Sequence, residues 1–324
     1  MRAIHLSTAA GAMLGGGPAY AESVDNAAKK LADASYPMVK AVDWATTDVL
    51  DKYMATVPTT KEFSKAILEL SVAMDPTLIK NAVQAHKTAV SAMGPNFVTP
   101  LKNHEEVTVA LAKLFAAAPK DKIMAVFDAT PGVQDLNSAW YAKMPKADAD
   151  ATFSAFKALA EVVKASPTKV VTPVEVTASG PIADAAKRLA DASYPLVKAV
   201  DWANTDALDN FVAKTPATKA SITALLDAGL AMDPKLIQSA TQAHLKALNA
   251  VDGSLVTPLS NFEEVTVAIA KLIASAPASK IQAVFDTTPN IQGLNADWFA
   301  KMPVADAISS YQAFLDTASM VKAR

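Results

Sequence analysis

Cysteine is absent from all 324 residues, which removes disulfides, thiolate metal sites and a cysteine nucleophile from consideration. An excess of one charge is absent too. Thirty Lys and Arg stand against 32 Asp and Glu, giving a formal charge of −2 and a pI near 6.1, so there is no basic footprint for nucleic acid. No run reaches the roughly 18 uninterrupted apolar residues of a membrane span. Aromatic residues are scarce, at 6%, although 51% of the chain is hydrophobic, because alanine dominates the apolar content. Protein interiors fill space to a density of about 0.74, and helices faced with alanine cannot fill a wide one. Either the helices approach very closely, or something else occupies the middle.

Signatures of catalysis are missing as well. There is no G-x-S-x-G elbow and no P-loop, and Gly15, Gly16 and Gly17 lie in an N-terminal stretch of their own. Ser35-Tyr36 and Ser193-Tyr194 have no basic partner at a readable spacing, and no Asp, Glu or second His stands at zinc-ligand spacing beside His86. The residues describe a protein that is not an enzyme.

What the chain does contain is itself, twice. Positions 25–166 align with 183–324 at a constant offset of 158 without a gap, and 81 of the 142 pairs are identical. Solenoid repeats run to about 20–50 residues and need three or more copies, so two units of this size are a duplicated domain with an expected pseudo-twofold axis. Ahead of the first copy, Arg2, an apolar stretch without acids and Ala19-Tyr20-Ala21 read as the end of an export signal cut after Ala21. The chain therefore divides into a leader over 1–21, repeats over 22–166 and 182–324, and a linker over 167–181. In that linker Pro167, Pro173 and Pro181, with interspersed valines and threonines, predict an extended strap.

Within each copy the pattern is helical and the fold class is all-α. Asp75-Pro76 and Asp233-Pro234 supply an N-cap followed by proline at the first helical position, and Gly94-Pro95 closes the first of these helices. Asn103 with Glu106, and Asn261 with Glu264, predict capping-box starts for helices over 105–118 and 263–276. Glu105-Glu106 and Glu263-Glu264 then sit as first-turn acids on the helix dipole. Further helices are expected over 26–42, 60–73, 120–129 and 148–165, each with a counterpart 158 residues on. Pro37 and Pro195 should kink or break the first helix of each copy.

Candidate chemistry rests on few residues. Of four histidines, His5 lies in the leader and His104 is replaced by Phe262 in the second copy, so only His86 and His244 are duplicated. Ile79, Val83, His86, Val90 and Met93 follow helical spacing, as do Ile237, Thr241, His244, Leu248 and Val251. Each imidazole thus projects from an otherwise apolar face. A histidine so placed is more commonly a hydrogen-bonded core residue than a ligand. It is also what a planar metal macrocycle requires, a neutral axial nitrogen among side chains small enough for the ring to lie against the backbone.

The tract from Asn26 through Ser35-Tyr36, then Val42-Asp43-Trp44, then Ala82 to Ala89 around His86, then Val98-Thr99, recurs in both halves and resembles the peridinin–chlorophyll a proteins of dinoflagellates. The resemblance covers nearly all of 25–324. It implies two bundles of about eight helices each, forming a boat-shaped vessel. One chlorophyll a per half would be surrounded by several peridinins, with a galactolipid often present. His86 and His244 match the histidines that reach each chlorophyll magnesium through a water. Thr108 and Thr266 stand where the family has a residue close to the chlorophyll face, and Tyr36, Tyr194, Trp44 and Trp202 are further candidates for the pigment wall.

Two departures from the common pattern are visible. A pair of successive histidines is replaced by His86-Lys87 and His244-Leu245, and a Met-rich segment before the histidine helix is changed at 68–75 and 226–233. The implied function is light harvesting in the thylakoid lumen, with excitation passed from carotenoid to chlorophyll and on to a membrane antenna or photosystem, and with a homo-oligomer as a further expectation. The residues themselves leave open a carrier of haem or lipid, or a pigment-free helical scaffold. A visible absorption spectrum separates these three.

Overall fold

The computed structural model describes residues 22–41, 60–94, 97–129, 145–172, 179–199, 218–251, 256–287 and 304–322. The leader, Trp44, Trp202 and the middle of the linker lie outside them. The first copy contributes α1 (Val24–Ala41), α2 (Lys61–Ala73), α3 (Pro76–Ala92), α4 (Leu101–Ala117), α5 (Lys120–Ala129) and α6 (Lys146–Ala165). The second repeats them as α7 (Pro181–Ala199), α8 (Lys219–Ala231), α9 (Pro234–Ala250), α10 (Leu259–Ala274), α11 (Ala278–Thr287) and α12 (Val304–Lys322). No strand occurs among the described residues, and the fold is all-α.

Local chemistry starts these helices. Asp75 accepts from the Thr77 N–H at 2.8 Å and Asp233 from the Lys235 N–H at 2.9 Å, each with proline in the first turn. Thr60 caps α2 through the Phe63 N–H, and Thr218 forms a reciprocal capping box with Ser221 on α8. Three expectations are corrected. Helices α4 and α10 begin at Leu101 and Leu259 behind Pro100 and Pro258, so Asn103 and Asn261 lie inside the first turn and cap nothing. A proline at the boundary has a fixed φ and no N–H to satisfy, and it outcompetes the asparagine for the start. Glu105 consequently sits beyond the first turn, where it pairs with Lys29 at 3.5 Å, and Glu264 pairs with Lys246 at 2.9 Å. Pro37 and Pro195 do not break α1 and α7, which run through them; each lies near the C-terminal end, where the missing N–H forfeits a single bond.

Alanine decides how the helices pack. Of the 37 buried hydrophobic residues among those described, 23 are alanine, and Val90 is the bulkiest side chain that is fully buried. Helices therefore meet backbone to backbone. Ala27, Ala28, Ala112 and Leu159 join α1, α4 and α6, and Ala183, Ala186, Val267, Ala270 and Val321 join α7, α10 and α12. Larger apolar side chains stand outside these seams: Leu111 and Phe115 on α4, Met124 on α5, Leu225 on α8 and Ile269 on α10 all remain exposed. The first answer to the compositional question holds among the described residues. The helices approach closely through alanine, and apolar surface is left over.

The two copies are interlocked. In one run of neighbours α6 packs on α1, α1 on α4, α4 on α3, and α3 on α8, which carries α11; in the other, α12, α7, α10 and α9 follow in order and end on α2, which carries α5. Each half lends one helix pair to the run of the other. The histidine helices α3 and α9 also touch where the runs meet.

Candidate functional site

His86 and His244 occupy the middle of α3 and α9, and both side chains are exposed. Neither has a hydrogen-bond partner among the described residues, which removes the reading of a satisfied core histidine. The buried face of α3 runs instead through Ala82, Ala89 and Val90, and that of α9 through Ala240, Ala243 and Ala247. The apolar stripe read from the sequence is thus displaced: Ile79 and Val83 are only half-buried, and the imidazole lies beside the packed seam rather than in it. Ala82 and Ala89 flank His86 at helical spacing, as Ala240 and Ala247 flank His244. An open imidazole over such a surface fits a flat macrocycle with an axially open metal.

Thr108 and Thr266 are half-buried one helix over, on α4 and α10. Each hydroxyl donates back along its helix, to the His104 carbonyl at 2.8 Å and to the Phe262 carbonyl at 2.7 Å, so each has only lone pairs left for a ligand. Tyr36 and Tyr194 are brought to the same place. The Tyr36 ring lies 6.1 Å from that of His104, and Tyr194 lies 6.1 Å from Phe262. The Lys40 and Lys198 ammonium groups stand 5.6 and 5.8 Å from the ring centroids of these tyrosines. His104 was passed over in the sequence because it is not duplicated, yet it joins Tyr36 to Thr108. Burial holds its imidazole below the usual histidine range.

The departure at Lys87 acquires a role. Its ammonium pairs with Asp227 on α8, which Lys280 also meets at 3.0 Å, and these two cations hold the Asp227 carboxyl below its usual range. The counterpart of Lys87 is Leu245, so the tie beside His86 has no twin beside His244. Two further contacts are symmetric. Lys219 donates at 2.9 Å to both the Ser91 and Met93 carbonyls at the end of α3, and Lys61 donates to the Val251 carbonyl at the end of α9. Each histidine helix is capped by a lysine from the other half. Gln238 on α9 adds bonds of 3.1 and 3.0 Å to the Val72 and Met74 carbonyls that end α2.

The described start of the linker is fastened over the first copy. The Lys169 N–H donates to the Ala117 carbonyl at 2.7 Å, and its ammonium pairs with the buried Asp75. Burial alone would raise the Asp75 carboxyl. Lys169 and the N–H groups of Thr77 and Leu78 outweigh it and hold the carboxyl below its usual range.

A family profile described as peridinin-chlorophyll A binding protein matches residues 22–163 and again 180–321, so the starts and the ends of the two matches lie 158 residues apart. The chain is 33% identical to the chloroplastic peridinin-chlorophyll a-binding protein of Symbiodinium sp., over 98% of this chain and 89% of that one. It is 31% identical to peridinin-chlorophyll a-binding protein 1 of Amphidinium carterae, over 94% of this chain and 85% of the relative. The solved structure of a peridinin-chlorophyll a protein, high-salt form, superposes with a TM-score of 0.85 at 28% identity, covering 94% of this chain and all of the other.

Proposed function

The chain belongs to the peridinin-chlorophyll a binding protein family, and from that membership we propose how its two halves divide the work of a light-harvesting antenna. It binds chlorophyll a and peridinin and is not an enzyme. The observation that carries the site assignment is the open, unpartnered imidazole on an alanine-flanked helix, present once in each half. His86 and His244 hold a chlorophyll magnesium each, through a water, and one chlorophyll per half is surrounded by several peridinins, with a galactolipid as a further occupant. Thr108 and Thr266 offer lone pairs toward the chlorophyll face. Tyr36 and Tyr194 wall the same region, and Trp44 and Trp202 join them on the strength of the sequence.

The bound pigments supply absorption in the blue-green and transfer from carotenoid to chlorophyll. The protein fixes distance, orientation and polarity. Leu111, Phe115, Leu225 and Ile269, left exposed by the alanine seams, are apolar surface that polyenes would cover at about 25 cal/mol per Å². We further take 1–21 as a leader, 22–166 and 182–324 as the two pigment-binding repeats and 167–181 as their linker. The relatives are named chloroplastic, and the Ala19-Tyr20-Ala21 site favours the thylakoid lumen, with a membrane antenna or photosystem as the receiver and self-association as a further property.

The test is reconstitution of the full chain with chlorophyll a and peridinin. Chlorophyll fluorescence excited through the carotenoid band is the expected result. A chain that takes up haem with a Soret band alone, or that gains no visible absorption, overturns the reading.

A further inference from the structure

The two halves differ at one ring that faces a candidate pigment residue. His104 on α4 and Phe262 on α10 fill the same slot, each 6.1 Å from its tyrosine and one turn before its threonine. The shape of the slot is conserved while its polarity is not. His104 Nε2 lies 2.9 Å from Ser35 Oγ, and the tautomer of the ring sets which of the two donates. Ser35 has one hydroxyl proton and stands 2.7 Å from the Leu31 carbonyl four residues back. Ser193 makes the same bond to the Leu189 carbonyl in the second copy, where no imidazole is present. In the arrangement that keeps the serine proton on its own helix in both halves, Ser35 Oγ accepts and His104 Nε2 donates. Burial disfavours the charged form of this imidazole, and a neutral ring that donates from Nε2 carries its lone pair on Nδ1. Nδ1 has no hydrogen-bond partner among the described residues. The Thr108 proton is spent on the His104 carbonyl, so the threonine cannot satisfy it.

We infer that His104 Nδ1 accepts a hydrogen bond from a hydroxyl of the bound pigment assembly, in the N-terminal half alone, so that the two halves hold spectrally inequivalent pigment sets. The inference rests on the pigment-binding reading above. The chemistry required is an O–H donor on an otherwise apolar ligand. Two sources carry it, a hydroxyl on a carotenoid end ring and the water held on a chlorophyll magnesium. In the C-terminal half Phe262 offers that hydroxyl nothing, and the same group there must turn to Thr266 lone pairs or stay unpaired.

The duplication supplies its own controls. His104→Phe places in the first half the ring that the second half already accommodates at the same distance, so the fold tolerates it. Phe262→His places an imidazole beside Ser193, whose oxygen is free to accept Nε2–H as Ser35 does. Holoprotein reconstituted with chlorophyll a and peridinin is compared for pigment content and for absorption and circular dichroism bands. His104→Phe should move the bands of one half toward those of the other and weaken retention of the affected pigment by about tenfold. Phe262→His should move the bands of the other half, and the double swap should restore a spectrum close to the original with the halves exchanged. Movement in the blue-green bands identifies the carotenoid hydroxyl as the donor, and movement in the red band identifies the magnesium-bound water. Unchanged spectra and pigment content in both single variants overturn the inference while leaving pigment binding intact. An original chain that takes up no pigment overturns the underlying reading instead.

Discussion

His86 and His244 carry the same chemistry in two places, so removing one ring separates the two sites. His86→Leu should weaken one chlorophyll by about 10- to 100-fold, the usual cost of losing a group that acts on a metal through its bound ligand, and should leave the His244 site in place. Pigment extraction and the position of the red band check this; unchanged content would remove His86 from any axial role. Asp75 gives a second prediction with a sign. Its folded-state value lies below that of the unfolded chain, so the ion pair with Lys169 stabilises fully above the unfolded carboxylate range near about pH 4 and is lost as pH falls through the folded value. Lys169→Met should cost about 2 kcal/mol at neutral pH by stranding a buried carboxylate, and the gap from the parent chain should shrink in acid. Denaturant titrations at several pH values read it, and a gap independent of pH would show that the pair contributes nothing. At this scale helical spacing and duplication single out His86 and His244 in the sequence, whereas Thr108 and Thr266 enter only through the family resemblance. The sequence concealed His104, since asking for duplication discards a residue whose significance is that the copies differ. It concealed the partner of Asp75 too, because a strap fastened 94 residues away leaves no local pattern.

At the level of helices the seams are made of alanine, and their tolerance follows from that. Ala186 has no exposed surface and sits among Val267, Ala270 and Val321 where α7, α10 and α12 meet. Leucine there would have to push α7 away from both neighbours, and an overpacked seam costs about 1–3 kcal/mol. Ala186→Leu should lower the thermal midpoint accordingly, whereas leucine at exposed Ala165, at the end of α6, should change it little. Equal effects at the two positions would mean that close approach is not what holds these helices. Caps explain part of what the sequence makes legible: the Asp-Pro signals act within a few residues and the structure uses them at 75 and 233, while the caps at Thr60 and Thr218 appear only in the structure. The starts of α4 and α10 were misjudged because two start signals compete there, and the backbone constraint of Pro100 and Pro258 prevails over the side chains of Asn103 and Asn261.

Across the whole molecule the repeat was plain from the sequence, but the exchange of helix pairs was not. A gapless duplication says that the copies share a fold and nothing about which copy supplies a neighbour. The consequence is testable with residues 22–166 alone. Such a half keeps α4 against its histidine helix but loses α8 from α3 and α9 from α2, so the carbonyls of Met93 and Val72 lose their partners Lys219 and Gln238. A second copy of the same half can restore each contact class. Lys61 would cap the α3 end of its partner as Lys219 does here, and Glu69 would stand where Asp227 meets Lys87. The N-terminal half should therefore take up pigment only as a homodimer. The C-terminal half should pair less well, because Leu245 would stand where Lys87 meets Asp227, leaving that carboxylate with Lys280 in place of two lysines. Sedimentation across a range of concentrations, followed through chlorophyll absorbance, decides the matter. Chlorophyll travelling with the mass of a single half would mean that each site is complete without its neighbour, and that the interlock stabilises the pair without building the site.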